Sequence, residues 1–332
     1  MKRILFCVAL GALCIFTLAA GGQGDSAAAE KKTEISIACH FQADSTEFRA
    51  VEYFQKLVED RSKGQITIKT FPGSSLGSEM ENLEQVKTNT VTMSVFGDLL
   101  TSQLAPEIDC TVVPFIFPNL DEVYAAWNGP LGDKIKNAIE TKGNQYLIGL
   151  QKRGARQLTA SKAVRTPADL AGIKLRVPEI PSWVAVWRGL GALPTPVAWA
   201  ETYNALQTRV VDAQENPYMN IVMAKIYEVN KFVMTTEHLW NVYHWTINKN
   251  VMDGFSADTR KMILDAAKEA CDWGDKQVDA KTAENVALLK ANGVQIIEVD
   301  KQIFINAARP HVEKLAESWD PAARELIKKF YR

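Results

Sequence analysis

Histidine and cysteine are scarce, four and five in 332 residues. No CxxC pair or Cys/His cluster forms, so nothing suggests a zinc site. No nucleophile is placed beside a base, which leaves hydrolase or lyase chemistry unsupported. The formal net charge is −1, so neither nucleic acid nor an anionic membrane is an expected partner. No repeat period is visible, and low-complexity sequence is confined to residues 21–32. Beyond residue 32 only Cys39, Cys110 and Cys271 remain. That odd number excludes a disulfide framework, so the fold must stand on its core.

The first twenty residues differ in kind. Lys2 and Arg3 precede an uninterrupted apolar and small-residue run, Ile4 to Ala20, which is a secretory signal pattern. Cleavage among Ala19–Gly22 and cleavage after Ala29 both stay open, as does an uncleaved N-terminal tether. The expected location is periplasmic.

The remainder reads as α/β. A β-α-β-α-β order is expected from strands at Ile35–Cys39, Ile66–Phe71 and Val91–Phe96, with capping boxes at Asp44/Glu47 and Ser78/Glu81 opening the intervening helices. Further strands are expected at Gln145–Gln151, Ile173–Val177, Phe232–Thr235, Leu239–Ile247 and Val294–Val299. Helices are expected at Pro181–Leu190, Ala198–Gln207 and from Asn216, where Pro217 takes the first helical position. Ser256 to about Asn292 is helical almost without a break, longer than usual globular helices. The last stretch is helix broken near Pro310 and Pro321.

The most informative segment lies between Arg156 and Pro217. Arg156 and Arg176 sit at strand edges, and Asn216–Pro217 follows. The guanidinium fork matches a carboxylate bidentately and stays charged at any working pH. The segment suits holding an anion, not transforming one.

This segment resembles the solute-binding proteins of tripartite ATP-independent periplasmic (TRAP) transporters. The likeness rests on GIKLRVP (172–178), LGALPTPV (190–197), ETYNALQT (201–208) and VDAQENP (211–217). DRSKGQITIKTFPGSSLGSE (60–79), VPFIFPNLDE (113–122) and EHLWN (237–241) add to it, and it spans about residues 34–332. Ala213 and Arg209 stand where the family has glycine. Ala213 requires a negative φ, and Arg209 is either a surface charge or an extra anion contact.

The resemblance implies a two-lobed periplasmic-binding-protein-like fold. Each lobe is a mixed sheet flanked by helices, and a long helix spans both. Residues 33–153 plus about 242–281 form lobe I; residues 154–241 plus about 282–332 form lobe II. It implies capture of a carboxylate-bearing organic acid in the interlobe cleft and delivery to the membrane subunits of a TRAP transporter, with no catalysis and no cofactor. Arg176 is then the bidentate carboxylate clamp, Arg156 a second contact and Asn216 an amide donor. Trp199 walls the pocket, and His40 and Gly97 complete the set. Eight tryptophans and the VVPFIFP loop keep a hydrophobic or aromatic acid open as the ligand. A ligand-sensing or docking role on the same fold is a further alternative.

Overall fold

The computed structural model describes residues 32–331, so the leader lies outside the described residues. The N-terminal β-α-β-α-β order holds. Strands β1 (Thr33–Cys39), β2 (Ile66–Phe71) and β3 (Met93–Phe96) alternate with helices Thr46–Arg61 and Glu79–Thr88. The box at Ser78 is present: Glu81 N donates to Ser78 Oγ at 3.3 Å and Ser78 N to Glu81 Oε2 at 2.6 Å. The Asp44/Glu47 box is not. Ser45 is the cap, its Oγ accepting from Phe48 N at 3.0 Å. This later start puts Glu47 at the second helical position, where it cannot reach back to the cap, and it turns inward and is buried.

The remaining strands are β4 (Gln145–Ala160), β5 (Lys174–Val177), β6 (Leu193–Pro196), β7 (Ala213–Pro217), β8 (Phe232–Met234), β9 (Trp240–Asn248) and β10 (Gln295–Ile297). The sheet order is β2-β1-β3-β9-β4-β7-β5-β6, with β8 joining β4 and β10 joining β8. β4 is far longer than expected because it serves both halves. From Gln145 to Ala155 it pairs antiparallel with β9; from Arg156 to Ala160 it pairs with β7 and β8. Parallel pairs β1–β2, β1–β3, β5–β6, β5–β7 and β8–β10 make each half a mixed sheet. Asn216 does not begin a helix. It lies in β7 opposite Gln157, and the helix starts at Tyr218, because pairing with β4 keeps the chain extended through Pro217.

Helix Ala257–Ala291 is one element of 35 residues, capped by Ser256. Its first half buries Ile263, Ala266, Ala267, Ala270 and Cys271 against the core around β1 and Trp245, and Leu289 joins a separate core with Ile221 and Val233. One helix thus spans both lobes. Pro310 does not break helix Lys301–Ala316. Phe304, Ala308, Val312 and Ala316 bury one continuous face, and that packing outweighs the lost hydrogen bond of about 3 kcal/mol. Among the described residues, no helix is long and apolar enough to cross a membrane.

Many of the features that suggested an apolar ligand are consumed by the core. Trp127, Trp183, Trp187 and Trp245 are buried, as are Val112, Val113, Phe115, Ile116 and Phe117 of the proline-bracketed loop. Cys39, Cys110 and Cys271 are free and buried. Arg209 is exposed with φ +60°, the conformation that explains the family's glycine there, and Ala213 avoids positive φ.

Candidate functional site

The loop after β1, the middle of β4, the ends of β5 and β7, and the turn after β6 converge on one cavity. His40, Arg153, Arg156, Arg176, Trp199 and Asn216 are among the residues that line it. Its free volume is about 30 Å³, little more than a water needs. A larger cavity of about 420 Å³ adjoins it, sharing Trp199 and Asn220 and adding Phe41, Glu47, Tyr203 and Met223.

Three guanidiniums meet here, with different partners. Arg156 is buried and clamped by Glu215: Nε to Oε2 at 2.5 Å and a terminal nitrogen to Oε1 at 2.8 Å. The same nitrogen donates to the Glu215 carbonyl at 2.7 Å, and the indole ring of Trp183 lies 4.9 Å from the guanidinium. Arg153 donates to Asp98 Oδ2 at 2.7 Å and lies 4.6 Å over the ring of Tyr243. Arg176, also buried, donates Nε to Val197 O at 2.9 Å and faces Trp199 at 5.7 Å. Among the described residues, no carboxylate lies within ion-pairing distance of it.

The electrostatics follow. Burial raises the Glu215 carboxyl, but the charge and bonds of Arg156, with His238, outweigh this and hold it at about 2. Burial foremost lowers Arg176 to about 10, helped by the Arg156 and Arg153 charges against Glu215 and Glu79, so it remains a cation at neutral pH. Burial lifts Glu79 to about 7 although Arg153 pulls the other way. Burial and the same two cations, Arg153 and Arg176, push His40 down to about 3, which leaves its imidazole neutral. Two cations hold carboxylates and the third does not, so the site is built to accept a negative charge.

Five of the six expected residues line this cavity: Arg156, Arg176, Asn216, Trp199 and His40. Gly97 stands behind it. Its N–H donates to Glu79 Oε1 at 2.5 Å, its carbonyl faces His244 Nδ1 at 3.0 Å, and a Cβ there would come within 2.8 Å of the Arg153 fork. Two roles differ from expectation. Most of the Arg156 fork is spent on Glu215, although one terminal nitrogen has no partner. Asn216 commits an amide hydrogen to Gln214 Oε1 at 2.7 Å, which leaves one hydrogen uncommitted.

Arg153, Glu215, Asp98, Glu79, Glu47 and Asn220 were not anticipated. Arg153 and Arg156 are three apart, which in a regular strand points them to opposite faces. A bulge between Lys152 and Gly154, where Gly154 adopts φ +86°, resets the alternation and brings both to one cavity. Glu215 had a signal within the VDAQENP motif. Arg156 pairs with Pro217, so Glu215 is its diagonal neighbour on the facing strand.

Residues 37–318 match the family described as bacterial extracellular solute-binding protein, family 7. The 2,3-diketo-L-gulonate-binding periplasmic protein YiaO of Escherichia coli is 32% identical over 289 residues, covering 86% of this chain and 88% of its own. A TRAP periplasmic solute-binding protein from Roseobacter denitrificans, solved with bound L-galactonate, superposes with a TM-score of 0.86 at 29% identity, covering 91% of this chain and 99% of its own. Another from Sulfitobacter, solved with β-D-galacturonate, gives 0.85 at 26% identity, covering 90% and 99%. The clamp of buried arginines, the shared strand β4 and the spanning helix therefore belong to a known kind of molecule: this chain is a member of family 7 of the bacterial extracellular solute-binding proteins, the solute-binding proteins of TRAP transporters.

Proposed function

We propose that the protein captures an organic acid by its carboxylate outside the cytoplasm and hands it, chemically unchanged, to the membrane subunits of a TRAP transporter. The observation that carries this reading is Arg176, a buried cation with no carboxylate within ion-pairing distance among the described residues. A ligand carboxylate on its fork supplies the missing partner through charge-assisted bonds. A terminal nitrogen of Arg156 and Nε of Arg153 also lack hydrogen-bond partners, and both residues line the same cavity. With the head there, the body of the acid extends past Trp199 into the larger cavity. The acids held by the Roseobacter and Sulfitobacter relatives are carboxylates, which supports the assignment.

The lobes are assigned as residues 33–153 with about 242–281, and 154–241 with about 282–332. Support comes from β4, which passes from β9 to β7 and β8 just after the Lys152/Gly154 bulge. Bending there opens and closes the cleft, and a carboxylate that contacts Arg176 from one side and Arg153 from the other favours the closed form. Closure excludes water and strengthens those bonds.

Isothermal titration with D-galacturonate tests the clamp. Arg176→Ala is expected to weaken binding about a hundredfold or more, roughly 2.7 kcal/mol. Arg176→Lys is not expected to restore it, because a point charge lacks the fork. Unchanged affinity in Arg176→Ala would refute the assignment, and turnover of a bound acid followed by NMR would refute capture without conversion.

A further inference from the structure

With every acid ionised, the charges around the clamp already cancel. Arg153 is paired with Asp98 and Arg156 with Glu215, which leaves Arg176 as the third cation. The third carboxylate is Glu79, the first residue of its helix, which lines the same cavity as Arg153 and Arg176. Among the described residues Glu79 forms no ion pair; Gly97 N donates to its Oε1 at 2.5 Å. A Cβ on Gly97 would stand 2.8 Å from a terminal nitrogen of Arg153 and 3.4 Å from Glu79 Oε1, so these two charges are near neighbours. Arg176 acts on Glu79 as well.

A ligand carboxylate on Arg176 upsets this balance, because two carboxylates then share one enclosed cation. Like charges in one such site do not both stay ionised cheaply, and one of them takes a proton. The ligand has the Arg176 fork to hold its charge, whereas Glu79 has a backbone N–H, so Glu79 is the one that yields. We infer that Glu79 is a proton-binding site coupled to the ligand site, so that the acid is captured as its anion together with one proton from solvent. An O–H bond forms on the Glu79 oxygen that Gly97 does not hold, and the buffer acid that gave the proton remains in solution as its conjugate base. The inference rests on the capture reading given above.

The other groups facing Glu79 are worse placed to take the proton. Arg153 and Arg176 already carry theirs. Burial, with the Arg153 and Arg176 charges, holds the His40 imidazole at about 3, too far down for one anion to lift it to neutral pH. Burial holds His244, whose Nδ1 meets the Gly97 carbonyl, at about 4. Asp98 is gripped by Arg153 and by the Asn241 amide at 2.6 and 2.7 Å. Glu179 borders the adjoining crevice but is exposed to water. Glu79 itself stands at about 7, so a modest further push protonates it at neutral pH.

Calorimetric titration with D-galacturonate at pH 8 in phosphate and in Tris, whose heats of ionisation differ, counts the protons taken up per ligand. The wild type is expected to take up more than about half a proton at pH 8 and almost none at pH 5.5, where Glu79 is already protonated. Ligand raises the Glu79 carboxyl further, so the favourable linkage is complete below about 7 and is lost as pH climbs through the bound-state value. Affinity is expected to fall about tenfold between pH 6.5 and pH 8.5. Glu79→Gln keeps an acceptor for Gly97 N and carries no charge. It is expected to bind with no proton uptake, with affinity flat over the same range, and at pH 8.5 at least as tightly as the wild type. A merely structural role for Glu79 would instead weaken binding at every pH alike.

Binding by the wild type at pH 8 without proton uptake would overturn the inference and leave the capture reading standing. Uptake that persists in Glu79→Gln would also overturn it, by placing the proton on another raised acid such as Glu47 or Asp109. If neither D-galacturonate nor L-galactonate binds at any pH, the capture reading fails and this inference with it.

Discussion

Arg156 offers its fork to Glu215 within its own protein, two bonds of 2.5 and 2.8 Å between side chains buried on adjacent strands. His238 Nε2 lies 3.0 Å from the same carboxylate and is itself held through Nδ1 by Thr236. The pair fixes the guanidinium in place among the residues that line the cavity. Breaking one side leaves an uncompensated buried charge. Glu215→Ala is expected to cost about 3–5 kcal/mol in urea unfolding. The Glu215 carboxyl sits at about 2 in the fold against an ordinary 4.5, so its contribution is present above pH 4.5 and fades as pH falls toward 2. The difference between Glu215→Ala and wild type is accordingly expected to shrink at pH 3.

Asp109 runs the opposite way. It is buried in the turn just before the Val112–Phe117 loop, its Oδ2 accepts from Ser182 Oγ at 2.6 Å, and its other oxygen has no hydrogen-bond partner. Burial pushes the carboxyl up to about 8 from an ordinary 3.8. A raised acid is favoured by low pH, and the folded state loses stability as pH climbs from about 4 through 8. Asp109→Asn keeps the acceptor for Ser182 and removes the charge. Its melting temperature relative to wild type is expected to rise between pH 5 and pH 9; a constant or falling difference would contradict the burial argument.

Gly97 is expected to act on affinity through its neighbours. A Cβ at this position would stand 2.8 Å from the Arg153 fork and 3.4 Å from Glu79 Oε1. Arg153 is held by Asp98, which Asn241 also grips at 2.6 and 2.7 Å, so it cannot simply swing aside. Gly97→Ala is expected to weaken D-galacturonate binding by about tenfold, roughly 1.4 kcal/mol, and to lower the melting temperature as the buried Arg153–Asp98 pair is displaced. Full affinity in titration would show that Arg153 yields freely.

Much of this site was legible in the chain because its motifs are local. Arg156, Arg176 and Trp199 sit in segments whose resemblance to the family implies a carboxylate clamp, and one cavity is lined by all three. What stayed hidden depends on register. One residue of slip in the first helix cap, from Asp44 to Ser45, converts Glu47 from a capping partner into a cleft residue. One extra residue in β4 brings Arg153 to the face of Arg156. Asn216–Pro217 looks like a helix start, yet strand pairing with β4 overrides the local preference. Periodicity reads elements well and single-residue offsets poorly, and this site is assembled from such offsets.

Native mass spectrometry of protein purified without added ligand tests most directly whether Arg176 holds a carboxylate in the cleft. A co-purified small organic acid is expected on the wild type, released on denaturation and absent from Arg176→Ala. A bound species with no carboxylate, or equal occupancy in the variant, would contradict it.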